Sequence, residues 1–177
     1  TWEAPESGGG FAHGQLSHAL GLLYWQTDLR ATSVRAVLGH APSGVDLHDA
    51  AIVQFEGGAT GVLSGSCGVP QGHGFEVDIR IYGSVGSVLL DIETQRMVLK
   101  LPDGKTEIAE PEPDAWTYSC EGPANMLVDI ALGHGVNQSP GHVGARAVET
   151  LHALITSGQE DGTECQIKNN IRKAQTA

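Results

Sequence analysis

Residues 46–67 read DLHDAAIVQFEGGATGVLSGSC, and no other stretch constrains the fold as strongly. The first half alternates, with Leu47, Ala51, Val53 and Phe55 on one side, the two-residue period of a strand with one buried face. Gly57-Gly58 marks a two-residue hairpin turn. Residues 59–67 form the return strand, whose small side chains predict a close backbone approach or a covered face.

The same grammar continues on both sides of this hairpin. Residues 33–39 read as a short strand. In FEVDIRIY, residues 75–82, Phe75, Val77, Ile79 and Ile81 face one way and Glu76, Asp78, Arg80 and Tyr82 the other. GSVGS is a turn, residues 88–92 and 97–101 are further strands, and Asp103-Gly104 marks another hairpin. Pro111 and Pro113 break the pattern in an acidic loop. A first helix is predicted over residues 13–28, with Leu16, Leu20 and Leu23 on one face and Leu22 and Trp25 on the other. It is apolar nearly all round, as in a helix covered on more than one side. Residues 123–132 form a second helix, stopped by Gly133. Residues 143–157 form a third, with Val148, Leu151 and Ile155 on its inner face and Gly158 as its C-cap. Residues 165–167 read as an edge strand and 168–177 as a polar tail. Strands joined by short turns, with helices segregated at the ends, predict an α+β domain with one large, mostly antiparallel open sheet and helices on one face.

A chain of 177 residues, 40% hydrophobic and 18% charged, has the composition of a globular domain. Its 21 acidic against 10 basic residues, a formal charge of −11, argue against a nucleic-acid partner. No apolar run reaches membrane-spanning length. The start at Thr1, without Met or a signal peptide, is expected of a mature form or a piece of a longer protein. Cys67, Cys120 and Cys165 lack any CxxC spacing and read as structural thiols of a cytoplasmic protein.

No GxGxxG or GxxxxGK[ST] fingerprint occurs, so no dinucleotide or phosphate loop is predicted. Gly8-Gly9-Gly10 precedes the first helix. A tight turn is its simplest role, and an anion on the free N–H groups is the alternative. His13 and His18, five apart, diverge by about 140° on an α-helix, and the other histidines are scattered, so no metal site is expected. Asp46 and Asp49 begin a strand and read as its solvated end. Gln15 and His18, three apart, share a helix face to within about 60°. Buried core histidine is the ordinary reading of His18. The glycine-rich entrance and the absence of nearby charge favour instead a side chain that exchanges a proton near neutral pH.

GGGFAHGQLSHALGLLYW resembles the segment that opens the C-terminal domain of the Gfo/Idh/MocA oxidoreductases, in which a GGG tract leads into a helix carrying Asp-x-Gly-x-His. DLHDAAIVQFEGGATGVLSGS is similar to the family's Asp-rich strand, glycine hairpin and small-residue strand. IRIYGSVGSVLLD resembles its strand turn, and SPGHVGARAVETLHALITSGQEDG its closing helix. The resemblance implies a glyceraldehyde-3-phosphate dehydrogenase-like C-terminal domain over residues 1–167, for substrate binding and for homo-oligomerisation through the open sheet face. It implies hydride transfer between NAD or NADP and a sugar, inositol or related polyol. The cofactor would be bound mainly by an N-terminal Rossmann domain outside this chain, with none held by this fragment alone. His18 matches the family histidine that contacts the reacting hydroxyl, with Gln15 and His13 as substrate contacts. The family aspartate falls on Gly14, and the family lysine lies in the other domain. A non-catalytic binding or assembly module on the same fold is the alternative.

Overall fold

A computed structural model describes residues 2–70, 72, 74, 76–109 and 121–168. After a short 3-10 turn at Pro5–Ser7, a π-helical turn, Ala12–Leu16, runs directly into α1 (Ser17–Gln26). There follow β1 (Ala31–His40), β2 (Asp46–Phe55), β3 (Thr60–Ser66), β4 (Asp78–Gly83), β5 (Gly86–Asp91), β6 (Arg96–Lys100) and β7 (Thr106–Ala109). The chain ends with α2 (Glu121–Ala131), α3 (Gly141–Gln159) and β8 (Cys165–Gln166). No helix among the described residues is long and apolar enough to cross a membrane.

The class is α+β and, among the described residues, every strand pairing is antiparallel, as the short turns between strands predict. The expected single sheet is, among the described residues, two four-stranded ladders, β3-β2-β1-β8 and β4-β5-β6-β7. They belong to two compact units, Thr1–Gln71 with Ser139–Ala177, and Gly72–Gln138. In the second unit, β4 to β7 form a simple meander. Its first strand begins at Asp78, and Phe75, expected in it, lies outside the described residues. None of the unit's described residues is buried.

The first unit holds the core. β2 buries Ala51, Val53 and Phe55, as predicted, and β1 adds Val34 and Ala36. Onto this face pack Leu16, Leu20 and Tyr24 from the first helix and Ala147, Leu151 and Leu154 from α3. The inner face of α3 is thus turned from the one expected, and Val148 is exposed. Gly158 is not the cap. It lies inside the helix, where a side chain would run into Leu38 of β1, and the helix continues to Gln159. Close packing on the strand overrides the local stop signal. The first helix is buried on the side of Leu20 and Tyr24, while Trp25 stays exposed. Cys67 and Cys165 are half-buried free thiols against this core, and Cys120 lies outside the described residues.

Polar groups stitch the layers. Ser157 of α3 accepts from the Ala36 N–H at 2.9 Å and donates to the Thr163 carbonyl at 2.6 Å. This satisfies a β1 amide that no strand pairs. Thr150 donates to the Arg146 carbonyl, so the Tyr24 hydroxyl, 2.7 Å from Thr150 Oγ1, is the donor of their bond. Burial pushes the Tyr24 phenol up, which keeps its proton in place. Tyr24→Phe should therefore cost about 1 kcal/mol, the worth of one buried hydrogen bond. Urea unfolding checks this, and an unchanged midpoint would refute it.

Candidate functional site

The first helix starts without help from its own sequence. Phe11 occupies the N-cap position and offers no side-chain bond. A helix start leaves several N–H groups unsatisfied. Here a distant carboxylate supplies the acceptor: the Ala12 N–H donates to Asp46 Oδ2 at 2.6 Å. Gly10, at φ +111°, lies against the same group, and a Cβ there would collide with Asp46 Oδ1. The anion suggested for the glycine tract is thus the chain's own. With that position taken, these residues do not fit a dinucleotide phosphate.

Asp46 and Asp49 are not a solvated strand end: they are 7% and 4% exposed. Three residues apart on a regular strand, they would point to opposite faces. The ladder slips between them. Gly39 pairs with His48 but His40 with Asp46, so β2 takes two steps for one on β1. Leu47 is the extra residue of a β-bulge, which turns Asp46 to the inner side beside Asp49. Gly65, opposite Asp49 on β3, has no room for a side chain because the Phe11 ring lies over it. Burial first, then the neighbouring Asp46 carboxylate, pushes the Asp49 carboxyl up to about 7. Strand parity already places Asp49 between Leu47 and Ala51 on the inner face. That signal was available; the bulge was not.

His13, Gln15 and His18 are all exposed, so His18 is not a core histidine. The π turn spans His13 and Gln15, and the Ser17 N–H closes it onto the Ala12 carbonyl, five residues back. A turn of this length relaxes the divergence that a pure α-helix would impose on His13 and His18. Gly14, beside them, has nothing within 4 Å of where a Cβ would stand. His18, Gly21, Leu22 and Trp25 recur at helical spacing and share a face. Gly21, Leu22 and Trp25 line an open groove with Ser139, Pro140, Gly141, Val143 and Gly144 at the start of α3. Among the described residues no group of three His, Cys, Asp or Glu side chains could hold a metal ion. His18 is thus an accessible imidazole on the helix face that carries three of the groove's residues, but neither it nor Gln15 nor His13 lines the groove itself.

A family model, GFO/IDH/MocA C-terminal domain, matches residues 1–89. No curated protein matches the chain. The solved structures it resembles include levoglucosan dehydrogenase in complex with NADH (TM-score 0.76, 17% identity, 95% of this chain and 53% of that one). Another is an oxidoreductase domain protein from Kribbella flavida (0.75, 19%, 96% and 53%). A third is an oxidoreductase from Agrobacterium radiobacter in complex with NAD+, L-tartaric acid and magnesium (0.71, 16%, 89% and 49%). At such identities the likeness is one of fold. The chain spans about half the length of each structure.

The Asp46 contact predicts the effect of Gly10→Ala. A side chain at φ +111° is strained, and its Cβ displaces the capping carboxylate. We expect a loss of about 1–3 kcal/mol, seen as a lower urea midpoint with the Ala12 amide exchanging faster. Equal stability would mean that the tract is free to move away from Asp46.

Proposed function

The chain belongs to the GFO/IDH/MocA family, and on that premise we propose that it is the C-terminal, substrate-binding and self-associating domain of an NAD- or NADP-dependent oxidoreductase. The domain covers residues 1–167, and the substrate is a sugar, inositol or related polyol. The observation that carries this reading is the exposed His18 on the helix face that lines the groove. The nicotinamide cofactor supplies hydride chemistry when bound by the part of the protein outside this chain. The chain's own residues act on the hydroxyl. His18 accepts its proton on oxidation and returns it on reduction. Gln15 and His13 hydrogen-bond neighbouring hydroxyl groups and orient the ring. Gly14 leaves no carboxylate beside His18, so the proton leaves the imidazole directly to water.

Gly14 also favours a second reading, a non-catalytic binding or assembly module. Substitutions in the protein that unites this chain with its cofactor-binding part separate the two. His18→Ala should lower kcat about 10²–10⁴-fold, with little change in melting temperature. Gly14→Asp, for which there is open space, should be tolerated. A His18→Ala enzyme at full rate would remove His18 from the mechanism. An intact protein that oxidises no polyol with either cofactor would favour the module.

Self-association follows from the outer face of the first sheet. Val37, Ile52 and Val62 stand exposed there, Val62 by 75%. Exposed aliphatic side chains on a sheet face, here interspersed with Arg35 and Gln54, offer a surface for a second copy. Light scattering at high micromolar concentration should find a dimer or larger species, and Ile52→Lys should shift it toward monomer. A strictly monomeric parent chain would refute this.

A further inference from the structure

We propose that Asp46 and Asp49 share a single proton in the folded chain, Asp49 as the acid and Asp46 as the carboxylate, and that this proton fastens the first helix to β2. The inference does not depend on His18 being catalytic.

The geometry decides which group holds the proton. Asp46 accepts from the Ala12 N–H, at a helix start where N–H groups and the helix dipole favour negative charge. Asp49 has no such donor. It is 4% exposed, and among the described residues neither side-chain oxygen has a hydrogen-bond partner. An ionised carboxylate buried without a partner is too costly to persist, and two carboxylates at one site do not both ionise. Protonated, Asp49 gains an O–H that can donate to Asp46, which satisfies both groups.

Among the described residues no cation acts on Asp49. Across β1, Asp49 faces Leu38, and across β3 it faces Gly65 under the Phe11 ring. Cys67, just past β3, is pushed up, chiefly by burial, so it stays a neutral thiol. From α3, Arg146 acts on Tyr24 but is not among the groups that act on Asp49. The helix contributes backbone N–H groups at this end and no charged side chain before Asp28.

The pH dependence follows from the sign of the effect. Asp49 ionises at about 7 in the folded chain, against 3.8 for an ordinary aspartate. Between those values the folded chain binds more protons than the unfolded one. Its contribution to stability is full below pH 4, falls through this window and levels off above pH 7. The folding constant drops about tenfold per pH unit from this one group.

The test is urea unfolding of the full 177-residue chain and of Asp49→Asn between pH 4 and pH 8. Asparagine donates to Asp46 at every pH and carries no titrating proton. The ratio of folding constants, variant to parent, should rise about tenfold per unit up to about pH 7 and then flatten. A constant ratio would overturn the proposal. If Asp49→Asn does not fold, carbon-13 NMR of the parent's aspartate carboxyls decides. A midpoint near neutrality at Asp49 supports the shared proton, and an ordinary midpoint near 4 overturns it.

Discussion

The first unit depends on one hydrogen bond, from the Ala12 N–H to the carboxylate of Asp46. It joins the start of a helix to a strand 34 residues further along the chain. A helix normally finds its cap in the residue before it; here that residue is Phe11, whose side chain serves the core instead. The consequences run outward from this junction. Gly10 must be glycine because the carboxylate fills the space of a side chain, and Phe11 is placed over Gly65. Ala12, Leu16, Leu20 and Tyr24 are then the residues that meet the sheet.

The same junction explains why a run of uncharged polar side chains stands in an otherwise apolar helix. With the inner positions taken by Ala12, Leu16, Leu20 and Tyr24, His13, Gln15 and His18 are left outside. The π turn widens the helix where His13 and Gln15 stand. It is a local departure from the regular hydrogen-bond ladder of the kind found at functional sites. Within the first unit, the described residues cover this helix on the side of Leu20 and Tyr24 and leave the candidate site exposed. The exposed Trp25 and the groove along α3 belong to the same uncovered flank.

Burial also changes the meaning of an acidic chain. Most of the carboxylates among the described residues lie at the surface, where water solvates them. Glu164, bonded by Ser33 and Arg35, is such a case, and its carboxyl is held low by those bonds. Asp49 is the opposite case. Desolvation dominates, and the nearest charge is another carboxylate. Two carboxyl groups are thus shifted in opposite directions, because Glu164 meets donors and Asp49 meets Leu38, Gly65 and a phenyl ring.

Periodicity and turn chemistry determined the α+β class, the antiparallel hairpins and the inward set Ala51, Val53 and Phe55 before any coordinates. These are local properties: a strand's parity and a Gly-Gly turn act within a few residues. His13, Gln15 and His18 were legible as a polar interruption of an apolar helix; that they stand exposed was not, because the apolar pattern predicted a helix covered on more than one side. Tertiary structure decided what depends on distant partners. It divided the strands into two ladders, carried α3 past Gly158 and turned Val148 outward. It also inserted Leu47 as an extra residue in β2 and so brought Asp46 and Asp49 to one face. A bulge is set by the pairing of two strands and leaves no mark in the spacing of either one. From sequence alone the pair is two acids at a strand end; in the fold it is a cap and a second carboxyl buried beside it.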